Sequence, residues 1–430
     1  MTVLFAVWLG GGLIAVVVAA TRDLRLAIAC SLLVMSLVPE VVPFAIVEQD
    51  GLVGTLLFTT VLLACFLGLV RGHTRIALHL ISPGLLLLFF IGLLVMAYAL
   101  EATNADYAID KARQLLLWSM VPIVALAALG PFTAREIRVL LVALVWGSIS
   151  ATLALITFGD LTAARSTLGA ESPITYARAI GIGASVLVAW LIAGERKGTL
   201  TGRALALVPM LVLLGGVAAT GSRGPLVAVA VAGLFAFMTS VLAGRAKTSV
   251  VGMVMVVGVA VAASSFSGAS AERLAGLERV DAYLLQAGDN SSDLARLGYW
   301  DVALDGIRSS AGMGIGTGDF AGLVSMSGRA YPHNVALELW LEQGWLAIGA
   351  FMTLLVLTLR RALQLARVNE LSVVSVVLSG LFAFALTNAL VSGDVATNRQ
   401  LWIVTGLLWL TVPGKVVPDR PREGAEALRR

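Results

Sequence analysis

Charge is scarce in this chain. Asp, Glu, Lys and Arg make up 13% of its 430 residues, against about 25% in a soluble domain, which excludes a globule wrapped in polar surface. Histidine is scarcer still, with only His73, His79 and His333, too few for a histidine-rich metal centre. The two cysteines, Cys30 and Cys65, both lie inside apolar runs, so neither a disulfide framework nor a cysteine metal site is expected. No basic residue precedes the first apolar run, so a cleaved signal peptide is not expected. No Asp-x-Asp pair or carboxylate cluster reads as a divalent-ion site. What the chain has in quantity is hydrocarbon: apolar residues are 59% and the mean hydropathy is +0.93.

A bilayer core about 30 Å thick needs about 20 apolar helical residues to cross it. Thirteen apolar segments are legible, at 2–20, 25–47, 51–70, 76–100, 110–129, 136–158, 177–193, 203–220, 224–242, 248–267, 335–359, 371–391 and 400–412, the last short for a span. Short basic connections alternate along the chain, at Arg22/Arg25, Arg71/Arg75, Arg135/Arg138, Arg196/Lys197/Arg203, Arg245/Lys247 and Arg360/Arg361/Arg367, followed by the basic tail. By the positive-inside rule these are cytoplasmic. Twelve or thirteen crossings satisfy the pattern equally. The expected organisation is a bundle over 1–267 and 335–412, a large non-cytoplasmic loop over 268–334, and a disordered cytoplasmic tail over 413–430. Within the loop, Ala271–Leu285 and Leu294–Ile307 have helical apolar periodicity and are expected to be amphipathic helices at the mouth of the bundle.

On the face opposite the basic loops lie Lys111, Arg113, Arg165, Arg178, Arg223, Arg273, Arg279, Arg296, Arg308, Arg329 and Arg399. All but one are arginine, whose planar fork suits phosphate and carboxylate. The bland reading pairs them with Asp106, Asp110, Asp160, Glu171, Asp289 and Asp293. Arg223 stands apart because Ser222-Arg223-Gly224-Pro225 breaks two apolar runs with almost no loop. An arginine there, at the start of a helix, sits beside free N–H groups and favours an anion; the alternative is simple snorkelling. His333, followed by Asn334, stands where the long loop re-enters the membrane. A helix N-terminus disfavours imidazolium, so His333 is expected to be neutral and able to act as a general base; otherwise it is an interfacial cap. Glu338 and Glu342, one turn apart, are expected to orient that base or pair with an arginine. The glycine-rich run 312–318 lacks both a Gly-Lys-Ser/Thr ending and the G-x-G-x-x-G spacing, so it is no nucleotide site, though it can form a backbone turn closing on a ligand.

Taken together, His333-Asn334, Gly344-Trp345-Leu346-Ala347, Arg296 followed by Trp300, the run Gly314 to Phe320, Arg165-Ser166-Thr167 and Ser222-Arg223-Gly224 resemble the O-antigen ligase/polymerase superfamily of bacterial envelope glycosyltransferases. Ala347 stands where that pattern has a second glycine. The resemblance implies an all-α polytopic membrane protein: a bundle of about 12 transmembrane helices, similar to GT-C enzymes, with one large periplasmic loop, in the bacterial inner membrane. It implies an undecaprenyl-pyrophosphate-linked O-antigen as donor and lipid A–core as acceptor, with the most likeness to the ligase. It further implies inverting transfer with no metal, nucleotide or other cofactor. His333 would be the base, and Arg223, Arg296 and Arg165 would bind pyrophosphate. Asn334, Glu338, Gly344 and Ser222 would support the site, and Tyr299, Trp300 and Tyr331 would meet the acceptor sugar. Partners are membrane lipids and no nucleic acid; the oligomeric state is open. A polysaccharide polymerase and a protein O-oligosaccharyltransferase share the motifs. A flippase or secondary transporter is the rival from another class, with Glu40 as its best feature.

Overall fold

The computed structural model describes residues 23–37, 82–158, 173–194, 200–254, 256–257, 291–324, 329–368 and 371–413. Among these residues the protein is helical, apart from an isolated bridge between Phe132 and Thr411. In chain order the helices are α1 (Leu24–Leu37), α2 (Pro83–Ala99), α3 (Ala105–Leu115), α4 (Val121–Ala128), α5 (Ala134–Phe158), α6 (Pro173–Ala193), α7 (Leu200–Ala219), α8 (Arg223–Leu242), α9 (Ser291–Ser309), α10 (Phe320–Leu323), α11 (Val335–Ala366), α12 (Ser372–Val391) and α13 (Arg399–Leu410). A π-turn, Leu116–Met120, joins α3 to α4 without a break. Its cause is Pro122, which has no N–H to donate and whose ring displaces the preceding turn, so Val121 N–H reaches back five residues to the Leu116 carbonyl.

Among the described residues, six helical segments are long and apolar enough to cross a membrane: Ala105–Ala128, Ala134–Thr157, Pro173–Ala193, Arg223–Leu242, Val335–Ala366 and Ser372–Val391. Three shorter apolar helices accompany them, Arg25–Leu37, Pro83–Ala99 and Ala206–Ala219. Several segments behind the expected count of about 12, such as 2–20 and 51–70, lie outside the described residues, as does the amphipathic stretch Ala271–Leu285. Its partner Leu294–Ile307 falls within α9.

The bundle is organised around α6, which is buried almost throughout and packs against α5, α7, α8 and α12. Small residues permit that approach. A Cβ on Gly181 would meet the Phe384 ring at 2.7 Å, and Ser148 of α5 donates to the Ala179 carbonyl at 2.7 Å, the small-residue and hydroxyl packing expected between apolar helices.

The two ends of the bundle differ. At one end arginines cap helix C-termini: Arg25 donates to the Leu129 carbonyl (3.2 Å), Arg245 to Ala193 and Gly194 (3.1 and 3.2 Å), and Arg361 to Thr411 (2.7 Å). Cations there satisfy both the orphan carbonyls and the negative dipole ends. Arg25, Arg245 and Arg361 all come from the basic connections, so those connections share one end. The opposite end carries the N-termini of α3, α6, α8, α11 and α13 and the C-terminus of α12. There α9 lies on α11 over a small second core of Ala303, Ile307, Phe320, Ala321, Ala330 and Leu341.

Two departures from regular helices shape this end. Helix α11 is broken at Gly344 (φ 74°, ψ −163°), a backbone state open only to glycine. The carbonyls released at the break, Leu341 and Glu342, accept from Ile315 N–H (3.0 Å) and Gly316 N–H (3.1 Å) of the glycine-rich run, and Trp345 N–H returns to the Gly312 carbonyl (3.0 Å). The run therefore closes on its own chain, with the Ile315 and Gly316 donors spent on the α11 break. The second departure is α13, whose 12 residues rise only about 18 Å. The remaining depth is taken by the loop 392–398, where Asp394, Val395, Ala396 and Asn398 are buried. Non-helical backbone at that depth needs internal partners. Asn398 Nδ2 donates to the Ser392 and Asp394 carbonyls (3.2 and 2.8 Å), Thr397 N–H to Asp394 Oδ1 (2.7 Å), and Trp402 Nε1 to the Val395 carbonyl (2.8 Å).

Candidate functional site

Gly221 (φ 63°) turns the chain out of α7, and Ser222 is extended and opens α8. The Ser222 side chain makes no capping bond to the helix. A cleft forms at this helix start, lined by Gly221, Ser222, Arg223, Gly224, Pro225, Ile174 at the start of α6, Val391 and Ser392 at the end of α12, and Arg296 from α9. Two guanidiniums and a helix N-terminus thus border one cleft, an arrangement suited to a multiply charged oxyanion.

Arg178, one turn into α6, is bonded to one wall of the cleft. It is buried, and its Nη2 donates to the Asn388 (3.2 Å) and Ser392 (2.7 Å) carbonyls, capping α12. The same bond fixes Ser392, a cleft wall.

His333 lies just outside α11. Its φ of 58° is rare for a residue with a Cβ. Asn334 follows as N-cap, its side chain accepting from Ala336 N–H (3.0 Å) and Leu337 N–H (3.1 Å). Aromatic rings hold the imidazole. Tyr299 stacks on it (centroids 6.0 Å apart, 17° between planes) and Tyr331 meets it edge-on at 4.5 Å. Trp300 Nε1 donates to the Pro332 carbonyl at 2.9 Å, tying α9 to the residue before the histidine. Burial, then the nearby guanidiniums of Arg296 and Arg178, push the His333 pKa down from 6.5 to about 4, with Asp394 opposing. His333 is therefore neutral near pH 7. The expected cause was the helix terminus; the causes found are burial and two arginines, which link the histidine electrostatically to the cleft. Burial raises the Tyr331 pKa, which keeps its hydroxyl protonated.

Beneath His333 the half-helix 335–343 carries a buried charge cluster. Lys111 of α3 donates to both Glu342 oxygens (2.8 and 2.7 Å) and pairs with Glu338 Oε1. Glu338 Oε2 accepts from Val395 N–H (2.9 Å), and Gln343 Nε2 donates to Thr317 (2.9 Å). The expected partnership of Glu338 with His333 or an arginine is thus corrected: at full burial the carboxylate is held by a lysine and a backbone amide. The bland pairing holds for Arg113 and Arg329, both with Asp110 (2.7 and 2.5 Å); Arg308 is also paired, but with Asp305 (2.8 Å), which was not among the expected partners.

Of the residues singled out in the sequence, Arg223, Arg296 and Ser222 share the cleft. His333, Tyr299, Trp300, Tyr331 and Asn334 form a neighbouring group joined to it through Arg296. Gly344 and Glu338 act in the framework below. Arg165 lies outside the described residues. Sequence reasoning passed over Arg178 as one more outer arginine; its place a single turn inside a helix start was the available signal. Asp394 gave none. Among the described residues no group of three His, Cys, Asp or Glu side chains could hold a metal ion.

These features define a multi-pass helical membrane protein with a basic cleft and a neutral histidine at one end. The O-antigen ligase family model matches residues 205–352, a stretch that includes Arg223, Arg296, His333, Asn334 and Gly344. Over residues 205–352 the chain is similar to the O-antigen ligase family, a match that supports the resemblance to that superfamily. No curated protein matches the chain significantly. The family points to ligase- or polymerase-type chemistry on a polysaccharide and lipid-linked substrates.

Proposed function

We propose that the protein is an inverting, metal-independent glycosyltransferase of the inner membrane. It moves O-antigen glycan from undecaprenyl pyrophosphate to a sugar hydroxyl of lipid A–core at the periplasmic face. In this reading 268–334 is the periplasmic loop between two parts of the bundle, 1–267 and 335–412, and 413–430 is a cytoplasmic tail. The observation that carries it is the pairing of Arg223 and Arg296 across a cleft at an uncapped helix start, with neutral His333 beside Arg296.

His333 accepts the proton of the acceptor hydroxyl. The oxygen attacks the anomeric carbon from the face opposite the leaving group, the new C–O bond forms, and the bond to the pyrophosphate oxygen breaks. Undecaprenyl pyrophosphate departs with the electron pair. Its growing charge lies against Arg223, Arg296 and the α8 N–H groups, which are fixed before the reaction and so favour the transition state over the ground state. The same anion offsets the field of Arg296 and Arg178 at His333, so donor binding strengthens the base. Arg165 joins the clamp, and Tyr299, Trp300 and Tyr331 border the acceptor position.

Deleting the gene and resolving the lipopolysaccharide on a gel tests the reading. A ligase mutant leaves core without O chain while lipid-linked polymer accumulates. A single repeat unit on the core identifies a polymerase instead. Unchanged lipopolysaccharide, with no lipid-linked glycan accumulating, contradicts both.

A further inference from the structure

The transfer chemistry proposed above gives no role to Lys111. It is nonetheless one of the largest fully buried side chains of the described protein. Its two carboxylate partners come from a helix that begins with the His333-Asn334 element, and Glu342 is 231 residues away in sequence. A buried ion pair contributes little net stability compared with an apolar replacement of similar volume, so stability alone is a weak reason for building three charged groups into a lipid-facing bundle. Its connections are more telling. Through Glu342 and Glu338, Lys111 fastens the half-helix 335–343 to α3. Through Glu338 and Val395 N–H (2.9 Å) it fastens the loop 392–398, whose Ser392 carries the bond to Arg178 (2.7 Å) and lines the anion cleft. That half-helix is separated from the rest of α11 by the Gly344 break, so the spanning helix does not by itself fix its orientation.

We infer that Lys111 is a positioning residue for glycosyl transfer: by binding Glu338 and Glu342 it sets the half-helix that presents His333 and the loop that forms the cleft wall, and so holds base and anion site in register. This rests on the function proposed above. Misplacing a base by about 1 Å costs on the order of 100-fold in rate, and the loss falls on kcat more than on KM because donor anchoring by Arg223 and Arg296 survives.

The test uses the full-length protein purified in detergent, with undecaprenyl-pyrophosphate-linked glycan as donor and lipid A–core as acceptor. Lys111→Met alone strands two buried carboxylates and risks misfolding. The informative variant is K111M/E342Q, which keeps the formal charge of the trio unchanged and leaves Glu338 bonded to Val395. The expected result is a folded protein with donor KM within about threefold of wild type and kcat reduced about 30- to 100-fold. A kcat within about twofold of wild type overturns the inference, as does a loss lying wholly in KM. A double variant that cannot be recovered folded also counts against it, since Lys111 is then a stability residue. His333→Ala assayed in parallel separates the two readings. If it retains transfer, the catalytic assignment fails; if it is inactive while K111M/E342Q is fully active, only the role of Lys111 fails.

Discussion

Replacing Gly344 by alanine probes the break in α11 more sharply than any other single change. At φ 74° and ψ −163° a residue with a Cβ is strained by about 1–3 kcal/mol. The added carbon would also lie 2.5 Å from the Met313 carbonyl oxygen and 2.8 Å from that of Gly312, both backbone atoms that cannot rotate away. Relief requires the glycine-rich run to withdraw, which loosens the bonds Trp345 N–H to Gly312, Ile315 N–H to Leu341 and Gly316 N–H to Glu342, each worth about 0.5–1.5 kcal/mol. The sum is on the order of 2.5–7.5 kcal/mol, a large part of a typical total stability of about 5–15 kcal/mol. A thermal scan of the detergent-purified protein by size-exclusion fluorescence is the assay, with Gly349→Ala as control. Gly349 is helical and has no atom within 4 Å of its would-be Cβ, so alanine there is expected to be neutral or stabilising by up to about 1 kcal/mol. A Gly344→Ala protein that unfolds with wild type, or two variants equally destabilised, refutes the account of the break.

The pH profile gives a second prediction. With the His333 pKa lowered to about 4, the base stays unprotonated above that value, so the acid limb of kcat/KM falls near pH 4. Arg296→Gln removes a charge that lowers this pKa, so the limb moves upward, toward the ordinary value of 6.5; an unmoved limb contradicts the electrostatic link. Arg223→Ala is expected to lower kcat/KM about 10- to 100-fold, the worth of one or two charge-assisted hydrogen bonds. Arg223→Lys should recover only part because the fork is lost, and full recovery by lysine removes the bidentate role. Asn334→Ala deletes the cap over Ala336 and Leu337 and is expected to cost about 1 kcal/mol, read as a lower unfolding temperature.

Much of this end of the molecule was legible in the sequence because its signals are local. Ser222-Arg223-Gly224-Pro225 marks a helix start by turn chemistry and composition alone, and α8 begins at Arg223. His333-Asn334 reads as a re-entry point because the polar loop there gives way to an apolar run, and α11 begins at Val335 with Asn334, not His333, as its cap. The apolar runs at 177–193, 224–242 and 371–391 correspond to α6, α8 and α12 within a few residues. What was not legible depends on long-range partners. The spacing of Glu338 and Glu342 placed two carboxylates on one helical face and so called for a cation, but nothing local selects Lys111 over the nearer arginines. Lys111 itself, flanked by Asp106, Asp110 and Arg113, reads as a solvated face. The 12-residue α13 reads as a failed span until the loop 392–398 is seen inside the bundle. His333 was expected to be neutral for a local reason, the helix terminus; the arginines that suppress its proton come from α6 and α9.

The central claim is that neutral His333 and the arginine cleft act together in a single transfer reaction. The most direct measurement compares wild type with His333→Ala, both purified. It scores transfer from undecaprenyl-pyrophosphate-linked glycan to lipid A–core alongside binding of the same donor. The account predicts that the variant binds donor with near wild-type affinity and transfers nothing measurable; glycan transfer by the variant at close to the wild-type rate would contradict it.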